Sequence, residues 1–507
     1  MLTLAPDQKV RQEIDRRPHA AVIGAGFGGL AAAVRLGARG YRVTVLERLT
    51  QAGGRARVHR QDGFTFDAGP TIVTAPQLFE ELWHLAGRRL SDDVTLVPMD
   101  PFYRIRFADG SSFAYNGDPE QMRAEVARVA PDDVAGYERF MAHSRAVCQI
   151  GFEQLGHVPF DRVGAMLRIA PDLLRLSGHR SVHDVVARYI RDERLRTVFS
   201  FHPLLIGGNP FRASAIYCLI ADLERRWGVH FAMGGTGQLA DGLVRLIRSQ
   251  RGRVRLGVDV ARIRVERGEA TGVELQSGET IAADMVVSNA DSAVTHAQLL
   301  PQPQRWSAGR FRRARSSMGL FVWYFGTSRR YPEVDHHTIL LGPRYRGLLA
   351  DIFDRKRLAD DASLYLHRPT ATDPSLAPAG CDAFYVLAPV PNLAGGQDWD
   401  ALAEPYRRRI ARILETSVLP GLSDVIVTSK MTTPKDFQDD FLSYRGSGFG
   451  LEPVLTQSAR FRPHNRSGAV RNLYLVGAGT HPGAGLPGVL SSARILDSVV
   501  PDARVTA

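Results

Sequence analysis

The chain has 507 residues, 44% of them hydrophobic, which is material for two or three domains at about 150 residues each. Its net charge of +11 comes almost wholly from arginine, since Lys9, Lys356, Lys430 and Lys435 are the only lysines; a basic surface favours anionic lipid, and with no nucleic-acid motif or arginine tract interleaved with aromatics, no nucleic-acid partner is expected. Cys148, Cys218 and Cys381 lie far apart without a C-x-x-C pair, which argues against a disulfide framework or a structural metal and fits a reducing compartment.

Met1 to Arg17 lacks the basic and apolar regions of a signal peptide, so a cytoplasmic protein, or one on the cytoplasmic face of a membrane, is expected. The apolar run Ala20 to Ile23 then enters Gly24-Ala25-Gly26-Phe27-Gly28-Gly29, a helical stretch from Leu30 to Arg39, and a second apolar run, Arg42 to Leu46, ending at Glu47. This is the strand, turn, helix and strand of a dinucleotide fold. Gly24 permits the turn, Gly26 lets the backbone approach a pyrophosphate, and Gly29 lets helix pack on strand. Glu47 follows at the distance of a carboxylate that accepts hydrogen bonds from a ribose diol; it would repel the 2'-phosphate of NADP.

Gly53-Gly54-Arg55 and Phe66-Asp67-Ala68-Gly69-Pro70-Thr71 come next. From here the chain resembles the flavoproteins that include amine oxidases, protoporphyrinogen oxidase and carotenoid desaturases. The resemblance implies FAD as cofactor, with Gly54, Arg55 and Gly69 around the flavin side of the dinucleotide.

Phe160 to Leu176 places Val163, Met166, Leu167, Ala170, Leu173 and Leu174 at helical spacing, with Arg162, Arg168 and Arg175 nearby. Such a helix either lies in a lipid interface or covers its own core, and Pro171 is expected to break or kink it. Glu224-Arg225-Arg226 reads as an exposed ion-pair cluster or a patch facing a substrate tunnel. The spacing predicts a helix from Gly235 to Ser249 and strands at Val254 to Leu256, Ala261 to Val265, Gly272 to Leu275 and Asp284 to Ser288. Val260 is either a nucleotide contact, as the resemblance implies, or a plain strand residue. Met318 to Phe325 is a continuous apolar run, hence a buried strand.

The C-terminal segment Asn472 to Val489, through Gly477-Ala478-Gly479-Thr480-His481-Pro482-Gly483, is similar to the signature of bacterial-type phytoene desaturases. It reads as a strand, a glycine turn and a helix N-terminus near Gly488, whose free N–H groups suit the oxygens of a flavin. Gly479, Thr480 and Val489 are its candidate cofactor contacts. Its glycines and prolines exclude a membrane span despite the absence of charge from Asn472 to Ala493.

The reading is an α/β protein. Residues 18–100, 230–294 and 466–502 form a discontinuous Rossmann-like FAD-binding domain, and 101–229 and 295–465 an inserted α+β substrate and membrane-associating domain. The resemblance implies desaturation of phytoene, a lipophilic polyene, with oxygen or a quinone as electron acceptor; a sister carotenoid desaturase or isomerase, or a non-enzymatic flavin-binding membrane protein, are the alternatives. No side chain is singled out as catalytic.

Overall fold

The computed structural model describes residues 17–161, 163–301 and 305–503, with backbone alone at 163, 165–168 and 305–308. The two N-terminal runs form the strands His19–Ile23 and Arg42–Leu46, joined by the helix Phe27–Ala38. They are central in a parallel five-stranded sheet ordered Arg253–Arg255, Arg42–Leu46, His19–Ile23, Met285–Ser288, Leu473–Leu475. Val22 lies opposite Val45 on one side and Val287 on the other, and Val287 opposite Tyr474. Three distant stretches of chain thus build one sheet.

A parallel sheet is covered on both faces, which is why its central strands His19–Ile23 and Met285–Ser288 are buried throughout. Leu30 and Val34, Leu239 and Leu243, and Leu490 share one core with the sheet, from the helices Phe27–Ala38, Gly237–Ser249 and Leu486–Arg494. The other face holds Ala21, Ile23 and Val286 against Ile263 and Val273 of an antiparallel three-stranded sheet.

The two insertions meet in a seven-stranded sheet ordered Ile426–Thr432, Gly319–Thr327, Asp382–Val390, Leu364–His367, His337–Leu340, Tyr103–Arg106, Ser112–Tyr115. It is antiparallel except where His337–Leu340 pairs with Tyr103–Arg106. All nine residues of Gly319–Thr327 are buried, because both faces are covered. Phe321, Trp323 and Phe325 pack with Trp399, Tyr406 and Ile410, while Leu320, Val322 and Tyr324 pack with Phe64, Phe66 and Phe437. Phe64 and Phe66 precede residue 100, so a boundary drawn there cuts through this second core: the hairpin Val58–Gln61 and Phe64–Asp67 ties the cradle to the sheet.

The expected break at Pro171 is not found: the helix Val163–Arg175 runs through it. Proline fixes φ near the helical value and forfeits one hydrogen bond. Past the proline, the Leu176 N–H donates to the Asp172 carbonyl (2.9 Å). Ile169 and Leu173 line the internal cavity and Leu174 is 64% exposed, whereas the side chains of Arg162, Val163, Met166, Leu167 and Arg168 fall outside the described residues. Among the described residues no helix is long and apolar enough to cross a membrane.

Candidate functional site

The first strand ends at Gly24, whose φ of 90° only glycine adopts without strain. A Cβ at Gly29 would stand 2.0 Å from the Gly24 carbonyl oxygen, so the packing of helix on turn requires glycine there. Gly26, Gly28 and Gly477 all face one side chain that the sequence did not single out, Asn289. A Cβ would come within 2.9 Å of its Nδ2 from Gly26, and within 2.5 and 2.3 Å of its Oδ1 from Gly28 and Gly477. Asn289 follows the strand Met285–Ser288, and its N–H donates to the Ile23 carbonyl (2.8 Å). The two glycine motifs therefore close around a single amide.

Glu47 stands at the end of Arg42–Leu46, 5% exposed. Its Oε2 accepts the Ala25 N–H (2.6 Å) and its Oε1 the Leu49 N–H (2.9 Å). Burial raises its pKa against the opposing pull of these donors. Each oxygen retains a further acceptor site, and the residue lines the cavity. Gly54 lies against Gly26, and a Cβ at Gly69 would meet the Arg55 carbonyl oxygen at 2.1 Å. Arg55 donates from Nη2 to Ser443 Oγ (2.7 Å), and its buried Nε has no hydrogen-bond partner. Burial lowers its pKa while the Asp291 carboxylate opposes the fall.

Val260 and Val489 line the same cavity, as does Gly479, where a Cβ would meet Ser292 Oγ at 2.7 Å. Thr480 stands within the turn itself. It is fully buried, its hydroxyl lies 3.4 Å from Ser292 Oγ, its N–H is bonded to the Gly477 carbonyl, and it is not among the cavity-lining residues. Its N–H and hydroxyl are thus engaged within the turn. Arg462, also unforeseen and 1% exposed, donates to the Ala478 carbonyl (2.8 Å) and holds the same turn from beneath.

Beyond the cradle the cavity, of about 590 Å³ in all, continues between the helices of the first insertion and the seven-stranded sheet. Phe152, Leu173, Leu205, Ile220, Met318 and Leu387 are among its apolar walls. His481 lines it too and packs edge-on against Phe160 at 5.1 Å between ring centroids. Tyr365 OH bridges Thr71 Oγ1 (2.6 Å) and His337 Nδ1 (2.7 Å) at one wall. Behind it His336 and His367 share an Nε2···Nε2 contact of 3.0 Å, and burial holds all three imidazoles well below their usual pKa, neutral. His337 and His367 stack with planes 21° apart. One ring nitrogen from each of His336, His337 and His367 lies within 4.8 Å of the others.

The Glu224-Arg225-Arg226 segment is not an exposed cluster. Glu224, on the helix Leu219–Trp227, is 1% exposed and lines the cavity, while Arg226 alone pairs outward, with Glu153.

A glycine cradle in which a Cβ at Gly26, Gly28 or Gly29 would crowd its neighbours, a ribose-spaced carboxylate and a buried, unpartnered Arg55 Nε together suit a dinucleotide. An adjoining apolar tunnel suits a second, oily molecule. The family model described as flavin-containing amine oxidoreductase matches residues 27–495. The chain is 49% identical to the neurosporene-forming phytoene desaturase of Cereibacter sphaeroides, over 96% of this chain and 95% of that protein. It is also 49% identical to the lycopene-forming phytoene desaturase of Pseudescherichia vulneris, over 94% and 98% of the two chains. Among solved structures, an oxidoreductase from Methanosarcina mazei superposes with a TM-score of 0.64 at 19% identity, covering 95% of this chain and all of that one.

Proposed function

We infer from a chain that belongs to the flavin-containing amine oxidoreductase family, and within it to the phytoene desaturases, that it introduces successive double bonds into phytoene, giving neurosporene, lycopene or a further desaturated carotene. The observation that carries this reading is the continuity of one cavity from the dinucleotide cradle into an apolar tunnel. A hydrocarbon has no hydrogen-bonding handle, so its affinity comes from burial, at about 0.8 kcal/mol per CH₂. FAD, when bound, supplies the oxidant that takes two electrons from the substrate. The chain supplies the rest. Gly26 and Gly28, which line the cavity, admit the pyrophosphate, Glu47 accepts from the ribose, and Arg55 offers its free Nε–H. The tunnel walls exclude water and hold the polyene in line.

The protein is further proposed to work peripherally, on the cytoplasmic face of the membrane, with a membrane quinone or oxygen taking the electrons. The support is physical. The substrate resides in lipid, the net charge is +11, and the helix Val163–Arg175 lines the cavity with Leu173 while exposing Leu174. Phe461 is 49% exposed, and Arg460 beside it donates to the Asp161 carbonyl just before that helix. Each large apolar side chain that enters lipid contributes about 1.5–3 kcal/mol. Leu174→Glu with Phe461→Glu is therefore expected to lose most flotation with anionic liposomes while FAD binding persists; equal recovery would move the membrane contact elsewhere. Incubation with liposomal phytoene and chromatography of the carotenes tests the activity itself, and no desaturated product from FAD-loaded protein would contradict it.

A further inference from the structure

Removal of two hydrogens from adjacent carbons, one with its electron pair, leaves a proton to be taken by the protein, and one group in the tunnel is built for it. The acids lining the cavity are Glu47, Glu224, Asp259, Asp291 and Asp440. Four belong to the cofactor end or to its contacts. Glu47 is bonded to cradle amides, Asp259 adjoins Val260 and lies 3.7 Å from Arg48, Asp291 accepts the Ala293 and Tyr444 N–H groups, and Asp440 pairs with Arg57. Glu224 stands apart. It projects from the helix Leu219–Trp227 among the apolar walls Leu219, Ile220 and Leu223.

Its two oxygens differ. Oε1 accepts the hydroxyl of Tyr103 at 2.7 Å, which fixes the carboxylate in place. Oε2 is buried and makes no hydrogen bond, although His202 Nε2, likewise without one, lies 3.3 Å away. A buried carboxylate oxygen left unpaired costs stability, and such groups persist where they act. Tyr103, Tyr115 and His202 are the titratable groups that face it from the neighbouring elements.

We propose that Glu224 is the base of the desaturation and, before it accepts the proton, the counter-charge for the cation the substrate passes through. This rests on the proposed phytoene desaturation. One C–H bond breaks with its electron pair leaving to the oxidised flavin, and the remaining carbon becomes an allylic cation. A fixed anion in an apolar cavity stabilises such a cation more than water would, because little dielectric screens it. The neighbouring C–H then breaks; its proton goes to Glu224 Oε2 and its electron pair forms the new C=C bond. Electrons and atoms balance: the hydride is on the flavin, the proton on the carboxyl. His202, 3.3 Å behind, is placed to carry that proton onward and restore the carboxylate.

The test is anaerobic single-turnover bleaching of FAD by liposomal phytoene. Glu224→Gln keeps the shape and the acceptor for Tyr103 but removes the charge and the basicity. It is expected to bleach at least about 100-fold more slowly at unchanged FAD occupancy and melting temperature, the loss being of the size found for an electrostatic or acid–base group. Glu224→Asp, which retains the charge but withdraws it by one methylene, should recover part of the rate and covers the event that the glutamine variant does not fold. Bleaching by either folded variant within twofold of wild type would overturn the proposal. Wild type that fails to bleach would instead overturn the phytoene reading on which it rests.

Discussion

Gly26→Val is expected to weaken FAD binding by about 100-fold or more. Even one Cβ at this position would meet Asn289 Nδ2 at 2.9 Å. Valine adds two methyls along the path of the pyrophosphate and drives Asn289 from between the two glycine motifs. Loss of two charge-assisted hydrogen bonds at about 1.5–3 kcal/mol each corresponds to a factor of about 100 or more. Gly468→Ala, at an exposed glycine with open space around it, is the control and should leave binding unchanged. Fluorescence titration of refolded apoprotein with FAD reads the difference; a folded Gly26→Val protein that binds as tightly as wild type would mean the cradle lies elsewhere.

The second large effect is on stability against acid. His336 and His481 are 7% and 5% exposed, and burial lowers both imidazoles to a pKa of about 3. In the unfolded chain they titrate near 6.5, so as pH falls below that value the unfolded state takes up protons that the folded state refuses. The contribution of the neutral rings is complete above pH 6.5 and is lost on acidification, about 2 kcal/mol for each at pH 5. Asp67 works in the opposite direction. Burial raises its carboxyl to about 6 despite the Thr236 and Gly237 N–H groups, so the folded state is protonated first and recovers about 1 kcal/mol at pH 5. The net expectation is a thermal midpoint several degrees lower at pH 5 than at pH 7.5. His336→Gln with His481→Gln should flatten that slope. A midpoint that holds or rises on acidification would show that these rings titrate in the folded protein.

What could be read from the sequence was what neighbouring residues decide among themselves. Strand, turn, helix and acid from Ala20 to Glu47 occupy one continuous stretch, and so does the C-terminal motif. The burial of Met318 to Phe325 on both faces was legible because the run never alternates. Asn289 was not, because its importance comes from the pairing of Met285–Ser288 with His19–Ile23, which brings an ordinary amide between two glycine turns. Glu224 was left between two readings for the same reason: beside two arginines it looks solvated, and its burial depends on Tyr103, 121 residues away. Thr480 is a motif residue whose N–H and hydroxyl are engaged within the turn, which the motif alone does not show. The histidine stack joins three residues from the paired strands His337–Leu340 and Leu364–His367 and the loop before them, and no local spacing announces it.

Flavin alone is expected to oxidise a polyene held in the adjoining tunnel, with no nicotinamide needed. The sequence carries one complete dinucleotide cradle with its ribose acid, Gly24 to Glu47, and no second of that form. FAD-loaded protein mixed anaerobically with liposomal phytoene should lose its oxidised-flavin absorption in a single turnover, with a desaturated carotene appearing in step, and turn over continuously once quinone is added. Flavin that stays oxidised, with product formed only when NAD is supplied, would contradict the account.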